Sequence, residues 1–206
     1  MTDRPAAGAP TRPEPPEVPW LFSGATLVTM DAERRVFTGD LLVRGGRILS
    51  LGPSLAANGA RVVDMKGRWI IPGLIQGHLH LGQTLFRGLA EERRLLQWLE
   101  EVIWPLEARH TEESAYWTAV IGGMEAIRGG TTSILDIGLV HGMGGIFRAV
   151  DELGLRAWLG KLLMDRGDQA PAGLVEEPAV AMAESRALAA EWHGAGGGRI
   201  HYAVCP

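Results

Sequence analysis

An α/β fold built on parallel strands is predicted for this 206-residue chain, on three observations. From residue 71 onward, short apolar runs of strand length alternate with helical segments. Such alternation demands crossover connections, and crossovers make neighbouring strands parallel. Upstream, short apolar runs separated by glycine turns read instead as a small antiparallel β unit. Apolar residues make up 46% of the chain, enough for a sizeable core. Three regions follow: a proline-rich leader over 1–19, a small β region over 20–70 and a strand–helix region over 71–206.

Residues 1–19 hold Pro5, Pro10, Pro13, Pro15, Pro16 and Pro19 with little apolar matter, so a disordered or extended leader is expected. The β region has candidate strands at 25–30, 40–43, 47–51 and 61–64, with Arg44-Gly45-Gly46 as a turn signal. A helix is expected over 95–102, ended by Pro105. Thr111–Arg128 reads as a strong helix. Thr111 can cap it, Glu112 and Glu113 suit its positive end, and Gly129-Gly130 stop it. Trp117, Val120, Met124 and Ile127 form its apolar stripe and are expected to face inward. Next come a strand over 132–136, a helix over 144–153 with Ile146, Val150 and Leu153 inward, and a buried strand over 155–164. A helix over 176–193, a glycine turn over 194–198 and a strand over 200–205 complete the order. Ending on an apolar strand predicts that the chain is part of one about twice as long; a half-barrel completed by a second copy is the alternative.

The formal net charge is −4, without a basic cluster, which argues against nucleic-acid or anionic-membrane partners. The one cysteine, Cys205, excludes an internal disulfide framework and suits a reducing cytoplasm. The N-terminus carries Asp3 and Arg4 and lacks the apolar core of a secretory signal, so a cytoplasmic location is expected. The same single cysteine rules out the deaminase type that needs H-x-E followed by P-C-x-x-C.

The most informative feature is His78-Leu79-His80. Residues i and i+2 of an extended strand project to one side, and imidazole is a common zinc ligand. The pair follows Trp69, Ile70, Ile71, Leu74 and Ile75, broken by Pro72-Gly73, as for a buried strand ending in a site. Two histidines are half of a metal centre.

With Asp64, Gly67 and the Ile71–Ile75 approach, this segment resembles the signature of the amidohydrolase superfamily. The stretches WLEEVIWPLE (98–107) and GGTTSILDIG (129–138), then Gly160-Lys161, Met164-Asp165 and RIHYAVCP (199–206), follow in family order. They resemble the branch of guanine, S-adenosylhomocysteine and 5′-deoxyadenosine deaminases and triazine hydrolases. The resemblance implies a (β/α)8 barrel, of which residues 71–206 form the first half, about four strands, since the whole takes about 250 residues. It also implies that 20–70 is part of a small β-sandwich.

The implied function is hydrolytic deamination of a purine, nucleoside or related aminated heterocycle by metal-activated water. Hydrolysis of a triazine or cyclic amide is one alternative, and a catalytically inert module is the other. The implied cofactor is one divalent metal ion, zinc or else iron or manganese, held by His78 and His80 and by ligands on later strands. No catalytic acid or base is implied within 1–206, so the chain alone is expected to be inactive. Gln83 matches a glutamine that touches the purine in guanine deaminases, and a loop residue is the plain alternative. Glu107 matches the glutamate that binds ribose hydroxyls in adenosine-type members, or is an ordinary helix residue. Lys161, among Leu159, Leu162 and Leu163, must snorkel or meet an anion; as a substrate-binding candidate it resembles guanine deaminase, since adenosine-type members carry Arg nearby. Asp136 and Asp165 are expected to order loops, and His141 and His201 to be structural. Trp98 and Trp104 either wall the pocket or pack against the barrel. The partner is a small heterocycle, and a homo-oligomer is left open.

Overall fold

A computed structural model of the chain describes residues 18–167 and 169–206. The leader expected over 1–19 therefore lies, up to residue 17, outside the described residues. The chain divides into two compact units between Pro72 and Gly73.

The first unit is a five-stranded sheet: β1 (Trp20–Val28), β2 (Val36–Arg44), β3 (Arg47–Gly52), β4 (Arg61–Asp64) and β5 (Trp69–Ile70). The order is β3-β2-β1-β4, with β5 also on β1. The hairpins are antiparallel, but β4 and β5 run parallel to β1. The unit is thus mixed rather than antiparallel, because residues 53–60 carry the chain back past β1 before β4 begins. Gly45 and Gly46, both with positive φ (57° and 72°), close the two-residue turn between β2 and β3. Asp40, buried, accepts hydrogen bonds from Ser23 Oγ, Gly24 N and Leu55 N, each at 2.9 Å. The two backbone donors hold its carboxyl below the usual range.

The second unit is a four-stranded sheet of β6 (Leu74–Leu79), β7 (Thr131–Asp136), β8 (Arg156–Leu159) and β9 (Ile200–Tyr202), in that order and all parallel. Crossovers run through α1 (Leu95–Trp98), α2 (Trp104–Glu107), α3 (Glu112–Arg128), α4 (Met143–Leu153) and α5 (Pro178–Trp192). Leu81, Ile134, Ile146, Phe147, Val150, Ala157, Leu159 and Ile200 are buried in one core between strands and helices. The other sheet face is bare: Ile75 is 77% exposed, Leu135 45% and Trp158 42%. Among the described residues, no helix is long and apolar enough to cross a membrane.

Several expectations change. The approach to His78 is not buried, since Trp69 and Leu74 are also exposed; among the described residues β6 pairs only with β7 and so forms an edge of its sheet. Pro105 does not end the first helical segment. Residues 99–103 form a π turn, Trp104 N–H bonding to Leu99 O, and Pro105 enters the first turn of α2, where its missing N–H costs little. Strands β8 and β9 are shorter than expected, and only an isolated bridge joins Leu162 and Cys205 beyond them.

Helix α3 is the largest revision. Thr111 caps it, accepting from Ser114 N–H while Ser114 Oγ accepts from Thr111 N–H. Its inward face, however, is Ala115, Thr118, Ala119 and Gly123. Trp117, Met124 and Ile127 are exposed and Val120 is half-buried. Small residues win the inner face because α3 and α4 lie close together. A Cβ at Gly145 of α4 would collide with the Glu112 carbonyl oxygen and stand 2.8 Å from Tyr116 N. Alanine normally favours a helix interior over glycine by up to about 1 kcal/mol. Gly145→Ala should nevertheless destabilise the protein by about 1–3 kcal/mol, the usual range for overpacking. Urea denaturation followed by circular dichroism checks this; an unchanged or raised midpoint would count against so close an approach.

Candidate active site at the strand ends

Parallel strands bring their C-terminal ends to one edge of the sheet, and β6 ends in the histidine pair. The rings converge: His78 Nε2 and His80 Nε2 lie 3.1 Å apart, with ring centroids at 4.8 Å and planes at 78°. His78 is exposed and His80 half-buried. Burial, with the neighbouring His78, pushes the His80 pKa down. Among the described residues no third His, Cys, Asp or Glu joins them to complete a metal-binding group.

The chain then enters a 3-10 turn, Leu81–Phe86, tied down along its length. Leu81 N–H donates to Asp136 Oδ1 at 3.1 Å, across from the end of β7. Leu81 O accepts from Thr84 Oγ1 (2.9 Å) and Thr118 Oγ1 (3.2 Å). His110 Nε2 lies 2.9 Å from Gly82 O and its Nδ1 2.9 Å from Ser114 Oγ, which links the turn to the cap of α3. Thr118, His110 and Ser114 were missed as site-supporting residues; the capping pattern at Thr111 and Ser114 was the available signal.

Gln83 and Glu107 meet. Gln83 Nε2 donates to Glu107 Oε1 at 2.9 Å, and Glu107 is only 6% exposed. Burial raises the Glu107 pKa, and the bond from Gln83 partly opposes this. A groove of about 590 Å³ runs along the open edge of β6, from Leu74 and Thr131 to His80, Gln83, Phe86, Trp98 and Ile103. Trp98 lines it, while Trp104 does not.

Lys161 lies elsewhere. Its ammonium, fully buried, donates to Val140 O and meets Glu176 at 2.8 Å and Glu184 at 3.2 Å. It meets anions, as a lysine among leucines must, but those anions belong to the protein. It ties the segment after β8 to α5 and is not among the residues lining the groove. His141 Nε2 lies 2.8 Å from Gly173 O, in the same loop cluster, and His201 stacks on Trp158. Asp165 is exposed at a bend.

Asp136 is fully buried. Leu81 N–H bonds to its Oδ1, yet among the described residues its Oδ2 has no hydrogen-bond partner. Burial outweighs the lowering effect of the Leu81 and Gly138 backbone N–H groups and raises its pKa to about 7, with the nearby Glu107 charge adding to the rise.

Residues 69–206 match the amidohydrolase family, and the chain belongs to it. It is 34% identical over 190 residues to the 5-methylthioadenosine/S-adenosylhomocysteine deaminase of Symbiobacterium thermophilum, covering 90% of this chain and 42% of that protein. It is 36% identical over 187 residues to the 5′-deoxyadenosine deaminase of Methanothermobacter thermautotrophicus, covering 90% and 41%. Among solved structures, E. coli guanine deaminase matches with a TM-score of 0.76 at 28% identity, over 92% of this chain and 45% of that one. Atrazine chlorohydrolase from Arthrobacter aurescens, solved with zinc, shares the fold at a TM-score of 0.80 and 22% identity, over 90% and 46%. The chain thus spans about two fifths of the length of these curated relatives.

The titration of Asp136 has a defined sign. Its folded pKa of about 7 lies above the ordinary value of 3.8, so the folded state holds a proton that the unfolded state has released between those limits. Its contribution is full below about pH 4 and is lost as pH rises toward about 7. In urea melts at pH 5 and pH 8, Asp136→Asn should flatten that decline. Parallel pH profiles for the two proteins would count against a raised pKa.

Proposed function

We propose that this chain supplies the first four strands of a (β/α)8 barrel, and with them part of the metal site of a hydrolytic deaminase. One observation carries the reading: two imidazole nitrogens 3.1 Å apart at the C-terminal end of β6. Two nitrogens bound tetrahedrally to zinc at about 2.0–2.1 Å stand about 3.3 Å apart. The pair is therefore close to the bite that such an ion requires. The bare face at Ile75, Leu135 and Trp158 supports the barrel, because parallel sheets are normally covered on both faces. In this reading residues 20–70 belong to a small β-sandwich.

The proposed cofactor is one divalent ion, zinc or else iron or manganese, with His78 and His80 among its holders. When bound, such an ion lowers the pKa of a coordinated water to about 7 and so provides a nucleophile at neutral pH. The chain's own residues hold and orient. Asp136 and the bonded turn fix the backbone that leaves His80. Gln83 keeps its carbonyl oxygen and its second N–H available for a heterocycle edge. Glu107 has one oxygen engaged by Gln83, which leaves Oε2 to accept from a sugar hydroxyl. The likeness to methylthioadenosine, S-adenosylhomocysteine and 5′-deoxyadenosine deaminases makes an adenosine-type nucleoside the preferred substrate. Lys161, paired inside the protein, is proposed as a brace for the loop after β8 in place of the substrate contact expected for it. With two histidines and no third partner among the described residues, residues 1–206 alone are proposed to be inactive.

In the assembled enzyme, His78→Ala should lower bound metal by at least about tenfold and ammonia release with it. Metal analysis alongside ammonia assay on 5′-deoxyadenosine, S-adenosylhomocysteine and guanine checks this; full metal occupancy in the variant would refute the ligand role. Glu107→Ala should raise KM for nucleosides by about tenfold or more, the usual cost of losing a charged hydrogen bond, and leave KM for free bases nearly unchanged. Equal effects on both would refute the sugar contact.

A further inference from the structure

The outer face of α3 carries a row that the site does not use: Glu113, Trp117, Val120, Ile121, Met124 and Arg128, of which the half-buried Val120 alone also packs against the core. The spacings of three and four residues place the row on one side of the helix, opposite Ala115, Ala119 and Gly123. Trp117 is 53% exposed, Met124 52% and Ile121 37%. A neighbouring strand–helix pair in a barrel covers the inner face and flanks of a helix. It leaves this outer face to solvent or to another molecule.

The row is symmetric about the point midway between Val120 and Ile121. Glu113 and Arg128 lie equally far from it, as do Trp117 and Met124. Two copies of α3 packed antiparallel about a two-fold axis at that point would set Glu113 against the second copy's Arg128 at both ends. Each Trp117 would meet a Met124, and Ile121 would fill the centre, with the exposed edge of the half-buried Val120 beside it. A two-fold interface requires such self-complementarity of one patch. The charges also follow the helix dipole, acidic at the N-terminus and basic at the C-terminus, which favours the antiparallel arrangement. Beside the row, the Arg148 guanidinium of α4 lies 4.3 Å from the centre of the Tyr116 ring, and Tyr116 Oη donates to Glu152 at 2.7 Å. This held pair widens the patch beyond a single helix. Trp, Tyr, Met and Arg are the residues enriched in protein interfaces.

We propose that α3 is the centre of a homodimer interface, with a second copy of this chain packed on it antiparallel. The proposal does not depend on the metal site or on the substrate. It is tested on the full-length protein by light scattering on a sizing column and by sedimentation across a concentration series. The wild type is expected to be dimeric, and Ile121→Lys, a change at an exposed position, to shift it to monomer with its thermal unfolding unchanged. Glu113→Arg and Arg128→Glu should each weaken the dimer by about tenfold, a like-charge pair being created at both ends of the interface. The double variant should recover the affinity, because the opposite charges face each other again. A monomeric wild type would overturn the proposal, as it would mean that solvent or another part of the chain meets this face. A dimer unaffected by Ile121→Lys, or single variants that the double one does not rescue, would overturn it equally.

Discussion

The shared direction of β6, β7, β8 and β9 is the constraint on which everything else in the second unit depends. Parallel pairing sends each connection back along the helix side of the sheet, so every strand finishes at the same edge. His78 and His80 come from the end of β6 and Asp136 from the end of β7, although 56 residues separate His80 from Asp136 in the sequence. Reversing one strand would place its last residue at the far edge and dissolve the cluster. The same constraint explains the lopsided burial, with helices and core on one side and Ile75, Leu135 and Trp158 uncovered on the other.

Within that frame, a buried carboxyl does an unusual job. Asp136 holds the backbone immediately after His80 through one oxygen while its other oxygen goes unmatched. Leaving a polar atom unpaired inside a protein is costly, and this one lies beside the turn that follows the histidine pair. The hydroxyls of Thr84 and Thr118 and the ring of His110 secure the same turn from other directions.

Much of this was legible from residue order. The alternation of elements predicted parallel strands. The spacing of His78 and His80 predicted same-side rings, and the glycines and Thr111 marked the ends of α3. What failed depended on contacts remote in sequence. Large apolar residues on α3 look like a core stripe, but the close packing of α4 at Gly145 reserves the inner face for alanine and glycine. Pro105 looks like a stop, and local chemistry does not disclose that the preceding turn widens to admit it. Lys161 looked available because the two glutamates that meet it stand 15 and 23 residues downstream. The pairing of Gln83 with Glu107 needed the turn and α2 to be brought face to face, which no periodicity encodes.

The widened turn at 99–103 has an evolutionary consequence. A π turn is an α-helix holding one additional residue, and each helical residue turns the chain by about 100°. The turn absorbs that extra rotation within itself, so losing one residue there would restore a regular helix without turning the positions that follow, and Glu107 would keep its place against Gln83. Descendants of this chain could therefore gain or lose one codon within 99–103 while the side chain offered to Gln83 stays the same.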